Sequence, residues 1–263
     1  MQQKFLVKKS FDKSALNYNK YAWLQKEIAN ELLAISFNTS VFANICKFNI
    51  LDVGCGTGYL SESLLEKTDI QNITQLDLSF NMCEVATKRN RGIATVNGDI
   101  EALPFAKDAF DIITSSSTFQ WLQDINIGLK EIFRVLKSQG MITFSTFGYN
   151  TLRELRQSFA LIDDEKHIND FIKDNIIKSA MLDLGFTELK LVKCTKFQYF
   201  NHVLEIMRYL HNLGAAYKGI RKNRTLFSKR KLEKLNNLYK ENFSDIQGLI
   251  TSWEIYYFIA RKP

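Results

Sequence analysis

Asn49-Ile50-Leu51-Asp52-Val53-Gly54-Cys55-Gly56-Thr57-Gly58-Tyr59-Leu60 is the stretch on which the reading of this 263-residue chain turns. Ile50, Leu51 and Val53 make a short apolar run that stops in glycines, which predicts a buried parallel strand breaking into a tight turn. Glycines at 54, 56 and 58 take every alternate Cβ out of the bend. The backbone is then free to adopt positive φ, and a ligand can lie against it. Thr57 is placed to cap a helix whose positions Leu60, Leu64 and Leu65 fit a buried face. The expected unit is strand, glycine loop and helix, with free N–H groups at the helix start ready for a small molecule.

Two nucleotide loops are excluded. The dinucleotide fingerprint needs a third glycine at position 59, where Tyr59 stands, and the P-loop needs a Gly-Lys-Ser/Thr that Gly58-Tyr59-Leu60 lacks. What remains, acidic-x-Gly-x-Gly-x-Gly from Asp52, resembles the first motif of the class I S-adenosylmethionine-dependent methyltransferases. Glycine-rich turns also serve packing alone, so the order of the motifs downstream of the loop matters.

Residues 73–79 predict a second strand ending in Asp77, then a helix through Met82, Val85 and Ala86. An acid about 20 residues past the glycines suits a ribose, because a carboxylate accepts from both hydroxyls. The same acid is also a possible cap for the next helix. Residues 93–96 read as a third strand leading into Asn97-Gly98-Asp99-Ile100, and residues 108–113 enter a fourth that runs to Ser115-Ser116-Ser117-Thr118-Phe119-Gln120-Trp121. A helix over 125–137 that ends at Gly140 and a fifth strand over 141–147 complete the alternation. That rhythm implies a doubly wound α/β sheet with its ligand at the carboxyl ends of the strands. The resemblance implies a Rossmann-like sheet, mostly parallel with an antiparallel last strand, here residues 252–260. It also implies Asp99 beside the adenine amino group with Ile100 on the ring. Gln25, Asp52, Gly54, Gly56, Gly58, Asp77, Leu78, Met82 and Ser115 complete the implied S-adenosylmethionine site.

One methyltransferase domain over 1–263 is expected, with a helical lead-in at 1–48, a cofactor-binding core at 49–147, lid and acceptor-site insertions at 148–250 and the last strand at 251–263. The lead-in reads as an amphipathic helix over 8–35 and a linker over 36–48. In the lid, helices are expected over 151–162, 171–182, 203–213 and 228–242, with a strand around 189–199. At 46% hydrophobic and 24% charged, the composition suits a soluble globule. No apolar run approaches the roughly 20 residues of a membrane span. The polar, basic N-terminus has no signal-peptide core, which predicts a cytoplasmic protein. Cys46, Cys55, Cys83 and Cys194 form no C-x-x-C pair, and three histidines argue against a metal centre.

Segments outside the core narrow the resemblance. Phe11-x-x-x-Ala15-x-x-Tyr18-x-x-x-Ala22-x-Leu24-Gln25, Gln120-Trp121, Gly148-x-x-Thr151-Leu152-x-Glu154-Leu155-x-Gln157, His167-x-Asn169-x-Phe171 and Leu213-Gly214-Ala215 resemble the malonyl-[acyl-carrier protein] O-methyltransferases of biotin synthesis. The likeness spans nearly the whole chain. It departs at His211, where a lysine is frequent, and in an unusually basic terminal region. It implies methyl transfer from S-adenosylmethionine to the free carboxylate of malonyl, so that the masked primer is elongated toward pimeloyl. Tyr18 is expected over the cofactor mouth and, with Arg153 and Arg156, in positioning the acceptor, and Phe119, Trp121, Phe147, His167 and His211 at the acceptor.

A carboxylate with a reference pKa near 4 is already the nucleophile at neutral pH, so positioning suffices and no general base is expected. Entering a partly dry pocket, it needs a cation or several donors. A guanidinium fits best, and Arg153 and Arg156, three apart on the first lid helix, are the expected clamp unless Glu154 or a surface acid claims them. His167 and His211 are the alternatives. Between 218 and 234 eight basic residues face one acid, Glu233, a net +7 that equals the excess of the whole chain. Lys218, Arg221, Lys222, Arg224, Lys229, Arg230 and Lys231 are therefore the expected dock for an acidic carrier protein, or else a solvated helix face.

Three other functions compete. The aromatic residues also suit another small acid, a quinone or a sterol-like ring. Net charge +7 raises nucleic-acid methylation, but Ser115-Ser116-Ser117-Thr118 lacks the Asn/Asp-Pro-Pro-Tyr/Phe of amino-methylating DNA enzymes. A binding module without catalysis would not need Gly54, Gly56, Gly58, Asp77 and Asp99 together.

Overall fold

The computed structural model describes residues 2–39, 47–70, 72–216 and 228–263. In chain order the elements begin with helices α1 (Gln2–Ser14), α2 (Tyr18–Tyr21) and α3 (Trp23–Asn38), then β1 (Ile50–Val53), α4 (Tyr59–Lys67), β2 (Ile73–Asp77), α5 (Phe80–Arg89) and β3 (Ala94–Asn97). They continue with β4 (Phe110–Ser116), α6 (Ile125–Val135), β5 (Leu136–Phe147), α7 (Arg153–Ala160), α8 (Asp174–Asp183) and β6 (Thr187–Phe200). The chain closes with α9 (Val203–Asn212), α10 (Lys229–Asn242), β7 (Ser244–Asp245) and β8 (Gly248–Arg261).

β1 is buried at all four positions, as its unbroken apolar reading requires. It pairs in parallel with β2 on one side and β4 on the other, Ile50 lying opposite Ile73 and Ile112. The sheet order is β3-β2-β1-β4-β5-β8-β6, with β7 beside β8. Strand order reverses between β1 and β4, so the glycine loop leaves β1 at the switch point, where open α/β sheets bind ligands. Successive side chains point to opposite faces. Ile50 accordingly joins an apolar layer with Leu32, Leu64 and Tyr257, while Leu51 and Val53 join another with Leu129, Phe144 and Phe258.

Several boundaries differ from the sequence reading. The lead-in is three helices rather than one, because the chain turns at 15–17 and again at Ala22. Thr57 does not cap α4; Gly58 holds that position without a side-chain bond, and the Thr57 hydroxyl donates to Asn19 Oδ1 at 2.8 Å. Ser79, not Asp77, caps α5 by accepting from the Met82 N–H at 3.2 Å. α6 ends at Val135, and Gly140 lies inside β5, because Leu136 already pairs with Phe110.

Nor is 148–250 purely lid. β6 is the sheet's edge strand, bonded to β8 along its length, and α8 contributes Ile177 and Met181 to the core layer of α6. On the N-terminal side of Ile255, the partner of Phe147, β8 is free of β5 and runs beside β6 as a ribbon carrying Trp253. α7 is fastened to it through buried Glu154, which accepts the Ser252 N–H at 3.0 Å and its hydroxyl. The Tyr239 hydroxyl of α10 donates to the Ile250 carbonyl at 2.7 Å.

Candidate active site

The glycine loop takes positive φ at Gly54 (69°), Gly56 (54°) and Gly58 (80°). Its Gly56 N–H donates to Asp77 Oδ2 at 2.8 Å, and the Ser79 N–H donates to Oδ1 at 2.8 Å. One backbone donor on each oxygen fixes the plane of the carboxylate and leaves each a further lone pair. Above it lies an open cavity. Gly54 and Gly56 line it from the loop, Asp77 and Leu78 from the end of β2, Met82 from the first turn of α5, and Asp99 and Ile100 from the turn after β3.

α1 lies across this cavity. Its Lys4 ammonium pairs with Asp99 at 2.7 Å and with Glu101, and its Asp12 accepts from the Ser79 hydroxyl at 2.6 Å. No pattern in the sequence singled out Lys4, since its partners are brought to it only by the fold.

A second hollow adjoins the loop where Asp52, Gln25 and Asn19 meet. Asp52 is 1% exposed, and its Oδ2 accepts from the Ser61 hydroxyl at 2.7 Å. Burial pushes its carboxyl up to about 7, the Ser61 bond pulling it down and the Asp77 charge up. Asp77 is pushed up to about 6, again by burial first, against the N–H groups of Ser79 and Gly56 and with Asp12 adding to the rise. Asp52 Oδ1 and Gln25 Oε1 are buried here without a protein partner, as is Ser117 Oγ on the wall of the first cavity. Unmet acceptors beside open space suit the ammonium of an amino acid, and Asp77 suits a diol. The residues thus fit S-adenosylmethionine.

Carboxyls raised by burial stabilise the fold fully below their unfolded pKa near 4, and that contribution is lost as pH climbs through 6 to 7. Asp52→Asn is therefore expected to raise the melting temperature of the ligand-free protein by roughly 5 °C at about pH 8. Near pH 5, where Asp52 is protonated in the fold and most of the loss has not yet accrued, the shift should be clearly smaller. Calorimetric melts at both values check this, and an equal shift at the two would refute the buried-charge account.

A third space opens beside the first and shares Phe11, Tyr18, Ser117 and Trp121 with it. Phe147, Leu152, Phe171, Leu210 and Trp253 give it an apolar wall, and Gln120, His167 and Asn169 its polar positions. Phe11 and Trp121 meet edge to face at 5.3 Å. Ser117 holds a left-handed φ of 56° at the junction, a strained position for a residue with a Cβ. No lysine or arginine lines this space among the described residues.

The arginine clamp is therefore not there. Arg153 pairs with Glu154 at 3.0 Å with its side chain 56% exposed. Arg156 spends its guanidinium on the carbonyls of Tyr149 (3.2 Å) and Thr151 (3.1 Å) and lies over the Tyr149 ring. His211 is exposed on α9 and lines neither space. Phe119 is core, stacked on Phe144 at 4.0 Å, and leaves Trp121 alone to reach the site. Ser115 is also buried, its hydroxyl spent on the Val53 carbonyl at 2.7 Å, and Ser116 and Ser117 line the cavity instead. Gly58 lines none of the three spaces and packs against α5. Tyr18 borders all three, and Gln25 two. Trp253, whose indole N–H is buried without a partner, lines the third space as well, and in the sequence nothing marks it beyond its place in the last strand.

A switch-point glycine loop, an acid closing β2 and a sheet with antiparallel last strands define a class I S-adenosylmethionine-dependent methyltransferase. The methyltransferase domain family matches residues 51–144. The malonyl-[acyl-carrier protein] O-methyltransferase of Hamiltonella defensa is 32% identical over 242 residues, 92% of this chain and 90% of that protein. The chain belongs to the malonyl-[acyl-carrier protein] O-methyltransferase family. The biotin biosynthesis bifunctional protein BioHC of Teredinibacter turnerae is 31% identical over 275 residues, 100% of this chain but 47% of its own length, so the chain spans about half of that relative. Among solved structures, the YcgJ protein of Bacillus subtilis has the same fold with a TM-score of 0.60, at 16% identity over 87% of this chain and 98% of that one. Among the described residues no helix is long and apolar enough to cross a membrane, and no group of His, Cys, Asp and Glu is arranged to hold a metal.

Proposed function

We propose that this chain transfers the methyl group of S-adenosylmethionine to the free carboxylate of malonyl on an acyl carrier protein, making the methyl ester that primes pimeloyl formation in biotin synthesis. The observation that carries this reading is the meeting of two unlike spaces at Tyr18, Phe11, Ser117 and Trp121. One is lined by the glycine loop and carboxylates; the other is aromatic and has no residue that must act as a base. S-adenosylmethionine supplies an electrophilic methyl group on a positively charged sulfur.

The chain's own part is to hold and exclude. Asp77 accepts from the ribose hydroxyls, Asp52 and Gln25 accept from the amino-acid ammonium, and Asp99 with Leu78, Met82 and Ile100 takes the base. Tyr18 stays protonated, because burial pushes its phenol far above the usual range, with Tyr209 and Asp77 adding to the rise. It is thus a hydrogen-bond donor at the junction and not a base. The walls of Phe147, Phe171 and Trp253 keep water from a carboxylate that reacts faster once partly desolvated. Alignment of two held reactants then supplies most of the acceleration.

For the carrier protein, Lys229, Arg230 and Lys234 are exposed along α10 and are the cations we assign to long-range steering. Lys231 is not among them, since it pairs inward with Asp163. Lys218, Arg221, Lys222 and Arg224 lie outside the described residues. Mass spectrometry of malonyl carrier protein incubated with the protein and S-adenosylmethionine should show the gain of one methylene on the acyl group. No gain, with cofactor binding intact by calorimetry, would remove the acceptor from this reading and leave the methyltransferase class.

A further inference from the structure

The acceptor space contains no lysine or arginine among the described residues, yet the proposed acceptor brings a full negative charge into it. Among the described residues the titratable side chains on its wall are Tyr18 and His167, and the Tyr18 phenol stays neutral. His167 has 3% of its side chain exposed and stacks on Phe159 at 4.0 Å and 15°. Its Nε2 lies 2.8 Å from Asp163 Oδ1. Oδ1 also accepts the Glu165 N–H at 2.9 Å, and the Lys231 ammonium of α10 pairs with Oδ2.

One carboxylate thus stands between the Lys231 ammonium and the His167 imidazole. Burial alone would raise the Asp163 carboxyl, but Lys231 and then His167 outweigh it and hold the group down at about 2. With His167 protonated, the three groups sum to one positive charge, and His167 is the member that lines the acceptor space. The other charged groups around the histidine are already matched or turned outward. Lys166 pairs with Asp170, Arg156 is held by two carbonyls, and Asp164 and Glu165 border only the hollow on the outer side of the ring.

We propose that Lys231, Asp163 and His167 act together as the anchor for the acceptor's free carboxylate, with His167 facing the substrate and Asp163 and Lys231 as its positioning residues. This rests on the reaction proposed above and names the part of the site that selects a carboxylate-bearing acyl group. Lys231 cancels the charge of Asp163, so the imidazolium is not neutralised from behind. Without Lys231 the pair would be a closed ion pair with nothing left for a substrate. The carboxylate's charge fades as the ester forms, so the anchor favours the bound substrate at least as much as the transition state. Its loss should therefore appear mainly in KM.

The test is steady-state methylation of malonyl carrier protein at saturating S-adenosylmethionine from about pH 5.5 to about 8.5, the window in which a histidine titrates. Saturating cofactor keeps Asp52 and Asp77 out of the profile. The wild type should lose kcat/KM as pH rises. His167→Gln should raise KM roughly 30- to 100-fold, the scale of a lost charge-assisted hydrogen bond. Cofactor affinity and inhibition by acetyl carrier protein, which has no carboxylate, should stay unchanged. Asp163→Asn should move the fall to lower pH, because the imidazolium loses its counter-charge. Lys231→Met should move it to higher pH while raising KM throughout, because the histidine keeps its proton but the anchor's net charge is gone. A purely structural role would slow all substrates and shift neither profile. A wild-type profile flat across the range, or His167→Gln with an unchanged KM, overturns the anchor alone. Absence of wild-type methylation of malonyl carrier protein overturns the reaction itself and the anchor with it.

Discussion

Alanine at Gly58 is expected to lower the melting temperature by roughly 10 °C, whereas alanine at Gly56 should lower it by only about 3–5 °C and damage cofactor binding. The two positions share a positive φ, 80° and 54°, which costs a residue with a Cβ about 1–2 kcal/mol. Their surroundings differ. A Cβ at Gly58 would stand 2.6 Å from Asn90 Nδ2 and 3.2 Å from the Ala86 Cα of α5. Asn90 is itself buried and donates to the Gly58 carbonyl at 2.8 Å. Relief of the clash therefore breaks that bond or moves a helix, and overpacking of this kind adds about 1–3 kcal/mol. A Cβ at Gly56 meets no atom within 4 Å and projects into open space, and Gly56 lines the first cavity. Thermal melts with calorimetric titration of S-adenosylmethionine separate the two. Equal stability losses would refute the division of labour along the loop.

Asp77→Ala should cost roughly a hundredfold or more in S-adenosylmethionine affinity with the fold retained. Two hydrogen bonds to a charged acceptor are lost, each worth about 1.5–3 kcal/mol, and the Gly56 and Ser79 N–H groups lose the acceptor that holds them. The pH dependence carries its own sign. Burial holds the Asp77 carboxyl up at about 6, so wild-type affinity should climb as pH rises through that value. The variant should lack that part of the climb. Titrations across the range check both, and a folded variant of unchanged affinity would remove Asp77 from the cofactor site.

What could be read from the chain was what is local in it. The glycine loop, the strand before it and the acid closing β2 are contiguous or nearly so. Backbone sterics and the period of apolar residues dictate them, whatever packs around them. The switch point was legible too, because alternating strands and helices admit few topologies.

The acceptor side was not legible in this way. The spacing of Arg153 and Arg156 places them near one face of α7, but no spacing says which face turns inward. That is decided by Glu154, buried against the Ser252 N–H of a strand distant in sequence; fastening it to β8 sends both arginines outward. Phe119 and Trp121 read as equal rim aromatics until a single turn buried one on Phe144 and left the other at the junction. The pairing of Lys231 with Asp163 joins α10 to the loop after α7. A run of lysines on a helix reads as solvated surface unless an acid from another element is brought against it. By itself the sequence determined the class of the protein and the glycine loop with the acid beside it, because backbone geometry and local periodicity suffice for both. Only the tertiary structure decided what meets the acceptor, because that depends on which side of each lid helix packing has already claimed.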